Sequence, residues 1–177
     1  MVDFTNQINL SRKVNKSDLF KLVSKMAKET HEKGGEYWGL FLIVGNFALT
    51  AYKLEKYIQL TANSLDGHVI TYGTKQFKDV LLANRATNSD GAFILDSASG
   101  QLLGDRVLYL DLKSSVCEEK GARHHAAASA SIDLNVEFVV TVSEETLTTR
   151  LYVDGKVESQ EEINVVEPEL EVEEDVL

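Results

Sequence analysis

The sequence predicts an α/β protein, a single domain in which helices flank a central mixed β-sheet, and three observations support this class. The chain has 177 residues, the usual length of one domain. Segment 37–45 is apolar at both alternating sets of positions, which is typical of a strand buried on both faces. Further strand patterns then alternate with helical patterns along the chain.

The elements are expected in the following order. A first helix has Ser17 as its N-cap and ends at Gly34-Gly35. After the strand at 37–45, a second helix runs from about Thr74 to Asn84. An alanine-rich third helix starts near Gly121 and ends near Ile132. The remaining strand patterns, separated by polar turns or an Asp-Gly pair, lie at 92–95, 101–112, 136–142, 147–153 and 156–157.

Negative charge is concentrated at the C-terminal end. The net charge is −10, but residues 158–177 hold nine acidic residues and no Lys or Arg, which leaves 19 acidic against 18 basic residues over 1–157. A broad nucleic-acid surface is disfavoured, because it needs an excess of Lys and Arg. The chain is therefore divided into an N-terminal helical segment at 1–35, a domain at 36–158 and an acidic, flexible tail at 159–177.

The sequence also indicates the cellular compartment. A single cysteine, Cys117, excludes an internal disulfide and a multi-cysteine zinc site. Residues 1–10 are polar and lack the apolar core of a secretory signal. The longest strongly apolar run, 37–44, is far shorter than the roughly 18 residues of a membrane span. We expect a soluble, cytoplasmic protein with no membrane contact.

Two short stretches suggest where a ligand binds. Asp90-Gly91-Ala92 opens a strand and offers a carboxylate beside a glycine that lets a ligand approach the backbone, although Asp-Gly is also a common turn. Gly121 and Ala122 precede the basic cluster 123–125, at the start of the alanine-rich helix. Positive charge there opposes the helix dipole, which an anionic ligand would explain; the alternative, which the residues alone favour, is a solvated loop with incidental histidines. Adjacent histidines lack the one-turn spacing of a zinc pair.

A third stretch, Ser143-Glu144-Glu145-Thr146, directly follows an apolar strand. Its glutamates are either solvated or ligands of a hard cation, since Mg²⁺ is held by one or two carboxylates plus substrate phosphates. Together the three stretches are suited to a metal–nucleotide site. The chain has neither a Walker A motif nor Gly-x-Gly-x-x-Gly. A nucleophilic pair of Cys117 with a neighbouring histidine is disfavoured, because no third member is evident.

In this order the three stretches resemble the diadenylate cyclase domain, the catalytic domain of bacterial and archaeal enzymes that make cyclic di-AMP. That family carries Asp-Gly-Ala at a strand start, then Gly-Thr-Arg-His-Arg followed by alanines, then a strand ending in Ser-Glu-Glu. Here Asp90 precedes Arg123 by 33 residues, and Ser143 follows 20 residues later. The resemblance extends over roughly 36–158 and includes a first strand ending in Val44-Gly45.

The resemblance implies that each domain binds one ATP and that two domains meet face to face. The 3′-hydroxyl of each ATP attacks the α-phosphate of the other, and two pyrophosphates leave. Because one protomer holds only half of the reaction, turnover requires a homodimer or a higher homo-oligomer. Catalysis would come from positioning and charge neutralisation, with Mg²⁺ or Mn²⁺ as cofactor and ATP as substrate. Neither a membrane nor a nucleic acid is expected as a partner.

The family's motifs also imply a role for each matching residue. Asp90 would bind the metal and assist deprotonation of the 3′-hydroxyl, while Glu145, or alternatively Glu144, would complete the metal site. Arg123 and His124 would hold phosphates. The other implied nucleotide contacts, including a backbone contact between Leu110 and adenine, are at Gly91, Ala92, Leu110, Gly121, Ala122, His125, Ser143 and Thr146.

Two departures from the family pattern leave alternatives open. The family's threonine is Ala122 here, and its second arginine is His125, which offers fewer donors and is largely neutral at pH 7. Phosphate binding should be weaker, and His125→Arg should raise ATP affinity or rate. One alternative is a non-catalytic nucleotide or cyclic-dinucleotide sensor, against which the retained Asp90 argues. The other is a structural α/β domain whose acidic tail binds a basic partner.

Overall fold

A seven-stranded mixed sheet forms the centre of the protein. The computed structural model describes residues 13–34, 38–47, 56–60, 63–83, 91–113 and 121–163. The strands in these ranges are β1 Leu40–Gly45, β2 Tyr57–Gln59, β3 Ala92–Asp96, β4 Leu102–Tyr109, β5 Val136–Ser143, β6 Thr148–Val153 and β7 Lys156–Glu162. The helices are α1 Lys16–Gly34, α2 Lys75–Ala83 and α3 Ala122–Ala130.

The strand order is β2-β4-β3-β1-β5-β6-β7. Only β1 and β3 run parallel, whereas the other neighbouring pairs are antiparallel. The predicted mixed sheet is confirmed. Each of the three helices in the described ranges is too short or too polar to cross a membrane.

Strand β1 lies at the middle of the sheet and is buried along its whole length, as predicted. Its side chains alternate between two cores. Leu40, Leu42 and Val44 pack in the core that includes α1 and α2, and Phe41 and Ile43 pack in the core under α3. The sheet is therefore the middle layer between helices, which explains why both alternating sets are apolar.

Helix α1 begins two residues earlier than the sequence suggested. The side chain of Asn15 accepts a hydrogen bond from the Asp18 N–H at 3.0 Å, so Asn15 is the N-cap and the prediction of Ser17 is wrong. The helix ends at Gly34 as expected. Its buried residues, among them Leu19 and Val23, join the core of the sheet.

The last strand extends beyond the predicted end of the domain. Strand β7 continues to Glu162, so the predicted boundary at 158 falls inside it. Two ion pairs hold this acidic strand to α1: Lys16 contacts Glu158 at 2.7 Å, and Lys28 contacts Glu161 at 3.1 Å. The N-terminal helix therefore lies beside the start of the acidic segment, although such exposed pairs contribute little to stability. The rest of the predicted tail, 164–177, lies outside the described residues.

Candidate functional site

A cleft of about 440 Å³ opens where the ends of several strands meet the start of α3. Its walls come from Phe41 on β1, from Gly91 before β3, from the last residues of β4, from residues 121–124 and 126, and from residues 143–145. Because β1 pairs antiparallel with β5, the beginning of β1 lies beside the end of β5. The topology thereby brings together three stretches that the sequence had singled out.

Helix α3 starts without a side-chain cap. Gly121 occupies the N-cap position with φ 136°, and no side chain of the described residues caps it. The first turn holds no acidic residue. The helix is instead held by Ala127, Ala128 and Ala130, which are buried in the core. An uncapped N-terminus that opens into a cleft presents N–H donors and positive potential to a ligand.

The guanidinium of Arg123 is packed against the backbone at the edge of this cleft. Its Nη1 donates a long hydrogen bond of 3.5 Å to the Val142 carbonyl, and its Nη2 lies 4.0 Å from a carboxylate oxygen of Glu144. A Cβ on Gly39 would come within 2.7 Å of Nη1. Gly39, which the sequence analysis did not single out, therefore leaves the space that Arg123 fills.

The two adjacent histidines have different environments. His124 is only 7% exposed, lines the cleft, and has its Nδ1 2.7 Å from the hydroxyl of Tyr152. His125 is absent from the cleft lining, because its Nε2 donates to the Lys113 carbonyl at 2.7 Å. Successive helix residues differ in direction by about 100°, so both rings do not face one cleft. The structure thus separates His125 from the expected phosphate contacts.

The first motif is described only from its second residue. Asp90 lies outside the described residues, whereas Gly91 lines the cleft. Gly91 has φ 109°, and a Cβ there would come within 2.7 Å of the Arg106 backbone, so glycine is required. Ala92 is fully buried in the core under α3 and is not part of the lining, which differs from the expected nucleotide contact.

The third motif places two carboxylates at the cleft. Glu144 and Glu145 are exposed and line it, and Ser143 is buried beside them. The Ser143 hydroxyl accepts a hydrogen bond from the Thr146 N–H at 3.2 Å, which shapes the turn after β5. Thr146 itself is not part of the lining; its hydroxyl is 2.7 Å from that of Thr148.

The donor set allows a divalent cation that also binds substrate. Within the described ranges, no three His, Cys, Asp or Glu side chains lie close enough together to hold a metal by themselves. Two neighbouring carboxylates nevertheless match the way Mg²⁺ is bound, with substrate phosphates and water completing its coordination. The residues present therefore fit a metal that arrives with a nucleotide.

The remaining wall is formed by the end of β4. Val107, Leu108 and Tyr109 line the cleft, whereas the predicted Leu110 does not. Leu110 follows the end of β4, and its N–H donates to the Lys56 carbonyl at 2.8 Å. Strand β4 ends at Tyr109 rather than at the predicted Leu112, and the contact that the family resemblance implied for Leu110 is not part of the lining.

The side chain of Tyr109 in this wall is held in place through its buried hydroxyl. The hydroxyl donates to the Asp133 carboxylate at 3.0 Å. Burial and this hydrogen bond raise the pKa of Tyr109, which therefore stays protonated throughout the physiological range.

Comparison with known proteins shows which family the chain resembles. Residues 71–157 match the family model described as "DisA bacterial checkpoint controller nucleotide-binding". A protein named diadenylate cyclase from Methanocaldococcus jannaschii is 29% identical over 140 residues, which are 79% of this chain and 43% of that protein. The chain thus spans less than half the length of this curated relative.

Solved structures resemble the chain at low sequence identity. A hypothetical membrane spanning protein from Bacillus cereus has a TM-score of 0.51 at 18% identity, covering 84% of this chain and 65% of the other. A double cysteine mutant of DacA from Staphylococcus aureus has a TM-score of 0.48 at 24% identity, covering 80% and 85%. The first similarity supports the fold alone. By the match of its residues 71–157, the chain resembles the diadenylate cyclase domain family.

Proposed function

We propose that the cleft binds ATP and that two copies of the protein condense two ATP molecules into cyclic di-AMP with release of two pyrophosphates. One observation carries this proposal: Gly91, residues 121–124 and residues 143–145 line a single cleft although they are far apart in sequence. These are the segments that match the motifs of the family. The family match of residues 71–157 supports the same activity.

Phosphate binding is the step for which the geometry gives most support. The uncapped start of α3 offers backbone donors and the positive end of the helix dipole. Arg123 adds a half-buried cation whose nearest carboxylate, on Glu144, is at the limit of an ion pair. A triphosphate would therefore bring the negative charge that this part of the cleft lacks.

The carboxylates give the cleft a second chemical function. Glu144 and Glu145 would hold Mg²⁺ or Mn²⁺ together with the phosphates. Such a cation neutralises charge on the phosphates during transfer. Asp90, the chain neighbour of Gly91, would assist removal of the proton from the 3′-hydroxyl. This assignment rests on the sequence motif, since Asp90 lies outside the described residues.

The chemistry requires two nucleotides. In each half-reaction a 3′-oxygen loses its proton and forms a bond to the α-phosphorus of the other ATP, while the bond from that phosphorus to the bridging oxygen of pyrophosphate breaks. One cleft holds one nucleotide, so we propose a homodimer or higher homo-oligomer with facing clefts. ATP supply is consistent with a cytoplasmic location.

The test is to incubate purified protein with ATP and either Mn²⁺ or Mg²⁺ and to identify products by mass spectrometry. We expect cyclic di-AMP and pyrophosphate from the wild type and none from Asp90→Ala. The rate per protomer should rise with protein concentration in the range where the dimer forms. Equal activity of Asp90→Ala would contradict the assigned role of this carboxylate.

A second candidate function is a sensor that binds nucleotide without turnover. Ala122 and the orientation of His125 favour it, because both remove a phosphate donor that the family motif supplies. ATP binding without product at several metals, pH values and protein concentrations would support the sensor. If the protein neither forms product nor binds ATP, both functions are refuted.

A further inference from the structure

We propose that Tyr152 is a positioning residue: its hydroxyl donates to Nδ1 of His124 and holds the ring so that Nε2 carries the proton that faces the bound nucleotide. This inference rests on the proposed function, in which His124 contacts phosphate. The sequence motifs give no indication of Tyr152, since it lies on β6, 28 residues after His124.

The pair is buried where α3 packs on the sheet. Tyr152 is 1% exposed and belongs to the apolar cluster under α3, together with Ile43, Val139 and Ala127. A hydroxyl in such surroundings is costly unless it forms a hydrogen bond. The 2.7 Å contact with His124 supplies that bond. A phenylalanine would fill the same space, so the hydroxyl has a role that packing does not require.

One edge of the His124 ring faces the core, and the opposite edge faces the cleft. Nδ1 faces Tyr152 in the core. The opposite edge lies toward the cleft, because Cδ2 would be 3.4 Å from a Cβ on Gly121, and Gly121 lines the cleft. Nε2 is bonded to Cδ2 and is therefore on the ligand side.

Chemistry selects one of two directions for the hydrogen bond. A neutral imidazole has one donor and one acceptor nitrogen, and a phosphate oxygen at neutral pH accepts. If the hydroxyl donates to Nδ1, the proton resides on Nε2 and is available to phosphate. The reverse direction would present a lone pair to a negative charge.

The direct test is the tautomer of His124 in the nucleotide-free protein, measured by long-range ¹H–¹⁵N NMR of the ring nitrogens. The chain has four histidines, so the His124 signals are assigned by their loss in His124→Gln. We expect a protonated Nε2 and an unprotonated Nδ1 in the wild type. In Tyr152→Phe this pattern should give way to a mixture of tautomers.

ATP affinity of the same variants provides the functional readout. Tyr152→Phe should weaken ATP binding about three- to tenfold, the effect of one hydrogen bond, with an unchanged circular dichroism spectrum. The matched control is Tyr72→Phe, which removes a hydroxyl next to Phe77 on the other face of the sheet and should leave both readouts unchanged.

The outcomes separate this inference from the proposed function. A protonated Nδ1 in the wild type, or an unchanged tautomer and ATP affinity in Tyr152→Phe, would overturn the role of Tyr152. The expected tautomer in a wild-type protein that does not bind ATP would refute the proposed function and, with it, the functional part of this role. The expected tautomer with weakened binding only in Tyr152→Phe supports both.

Discussion

The starts of helices α1 and α3 are built in opposite ways. At α1, the side chain of Asn15 caps the first turn and Asp18 places an acidic group in it. At α3, Gly121 provides no cap, the first turn lacks an acidic residue, and Arg123 and His124 occupy it. Helix α1 satisfies the N–H donors of its own N-terminus, whereas helix α3 leaves its donors open toward a cleft.

This contrast separates stability from function. An N-cap contributes about 1 kcal/mol, and a well-placed acidic residue about 0.3–1 kcal/mol at the positive end of the dipole. Helix α3 forgoes both and is held by its buried alanines. A helix that gives up these contributions at the edge of a cleft is arranged for an external anion, and the following predictions test that difference.

The largest effect is expected from Arg123→Ala. Removing a charge-assisted donor should weaken ATP binding roughly 10- to 100-fold. Arg123→Lys keeps the charge but loses the planar fork, so its ATP affinity should lie between those of the wild type and Arg123→Ala. Isothermal titration calorimetry measures both. An ATP affinity of Arg123→Ala equal to that of the wild type would place the phosphates elsewhere.

The second prediction concerns an acidic residue in the first turn, which α1 has and α3 lacks. Ala122→Asp adds an acidic residue to the first turn and should stabilise the fold by about 0.3–1 kcal/mol. The same charge would repel phosphates and should weaken ATP binding about tenfold. The free energy of unfolding, measured with urea, should therefore rise, while the ATP affinity, measured by calorimetry, should fall.

Asn15→Ala is the matched control for this variant. It removes the cap of α1 and should lower the free energy of unfolding by about 1 kcal/mol. ATP affinity should not change, because Asn15 is not part of the cleft lining. If Asn15→Ala weakened ATP binding as much as Ala122→Asp, the two helix starts would not differ in function.

The third prediction concerns the space that Arg123 fills. In Gly39→Ala the new Cβ would come within 2.7 Å of Nη1, so the flexible side chain must move while the fold remains. We expect ATP binding to weaken about three- to tenfold with little loss of stability. In an Arg123→Ala background the same substitution should have no effect on ATP binding. Additive losses in this double-mutant cycle would show that Gly39 acts independently of Arg123.

The smallest effect is expected from His125→Arg. The sequence alone predicted a gain in ATP affinity, but the ring donates to the Lys113 carbonyl and faces away from the cleft. ATP affinity should therefore stay within about twofold of wild type, since a charge at some distance is screened. Loss of the hydrogen bond should lower stability by about 1 kcal/mol. A large gain in affinity would restore the family-like role of this position.

The sequence was sufficient for the elements whose apolar pattern is local. The buried β1, the alanine-rich α3 and the mixed sheet follow from periodicity, and the motif stretches led to the cleft. Features that depend on distant contacts were missed. The contact of Lys16 on α1 with Glu158 on β7 joins residues 142 positions apart, and Tyr152 reaches His124 only in the folded sheet.

Helix geometry alone indicates that the two adjacent histidines differ in environment. His124 and His125 were both assigned to phosphate because the family motif groups them. Adjacent helix positions point about 100° apart, so a buried contact for one favours a different environment for the other. The roles of Gly39 and Gly91 could not be predicted from the sequence in this way. The space that each glycine leaves is defined by a residue distant in sequence that packs against it.

The most direct test of the central claim is a backbone ¹H–¹⁵N titration with a non-hydrolysable ATP analogue. If the start of α3 binds the phosphates, the amides of residues 122–124 should shift most, and those of residues 16–18 at the start of α1 should not move. Inorganic triphosphate should reproduce the α3 shifts. Saturable analogue binding that leaves the amides of residues 122–124 unchanged would contradict the account.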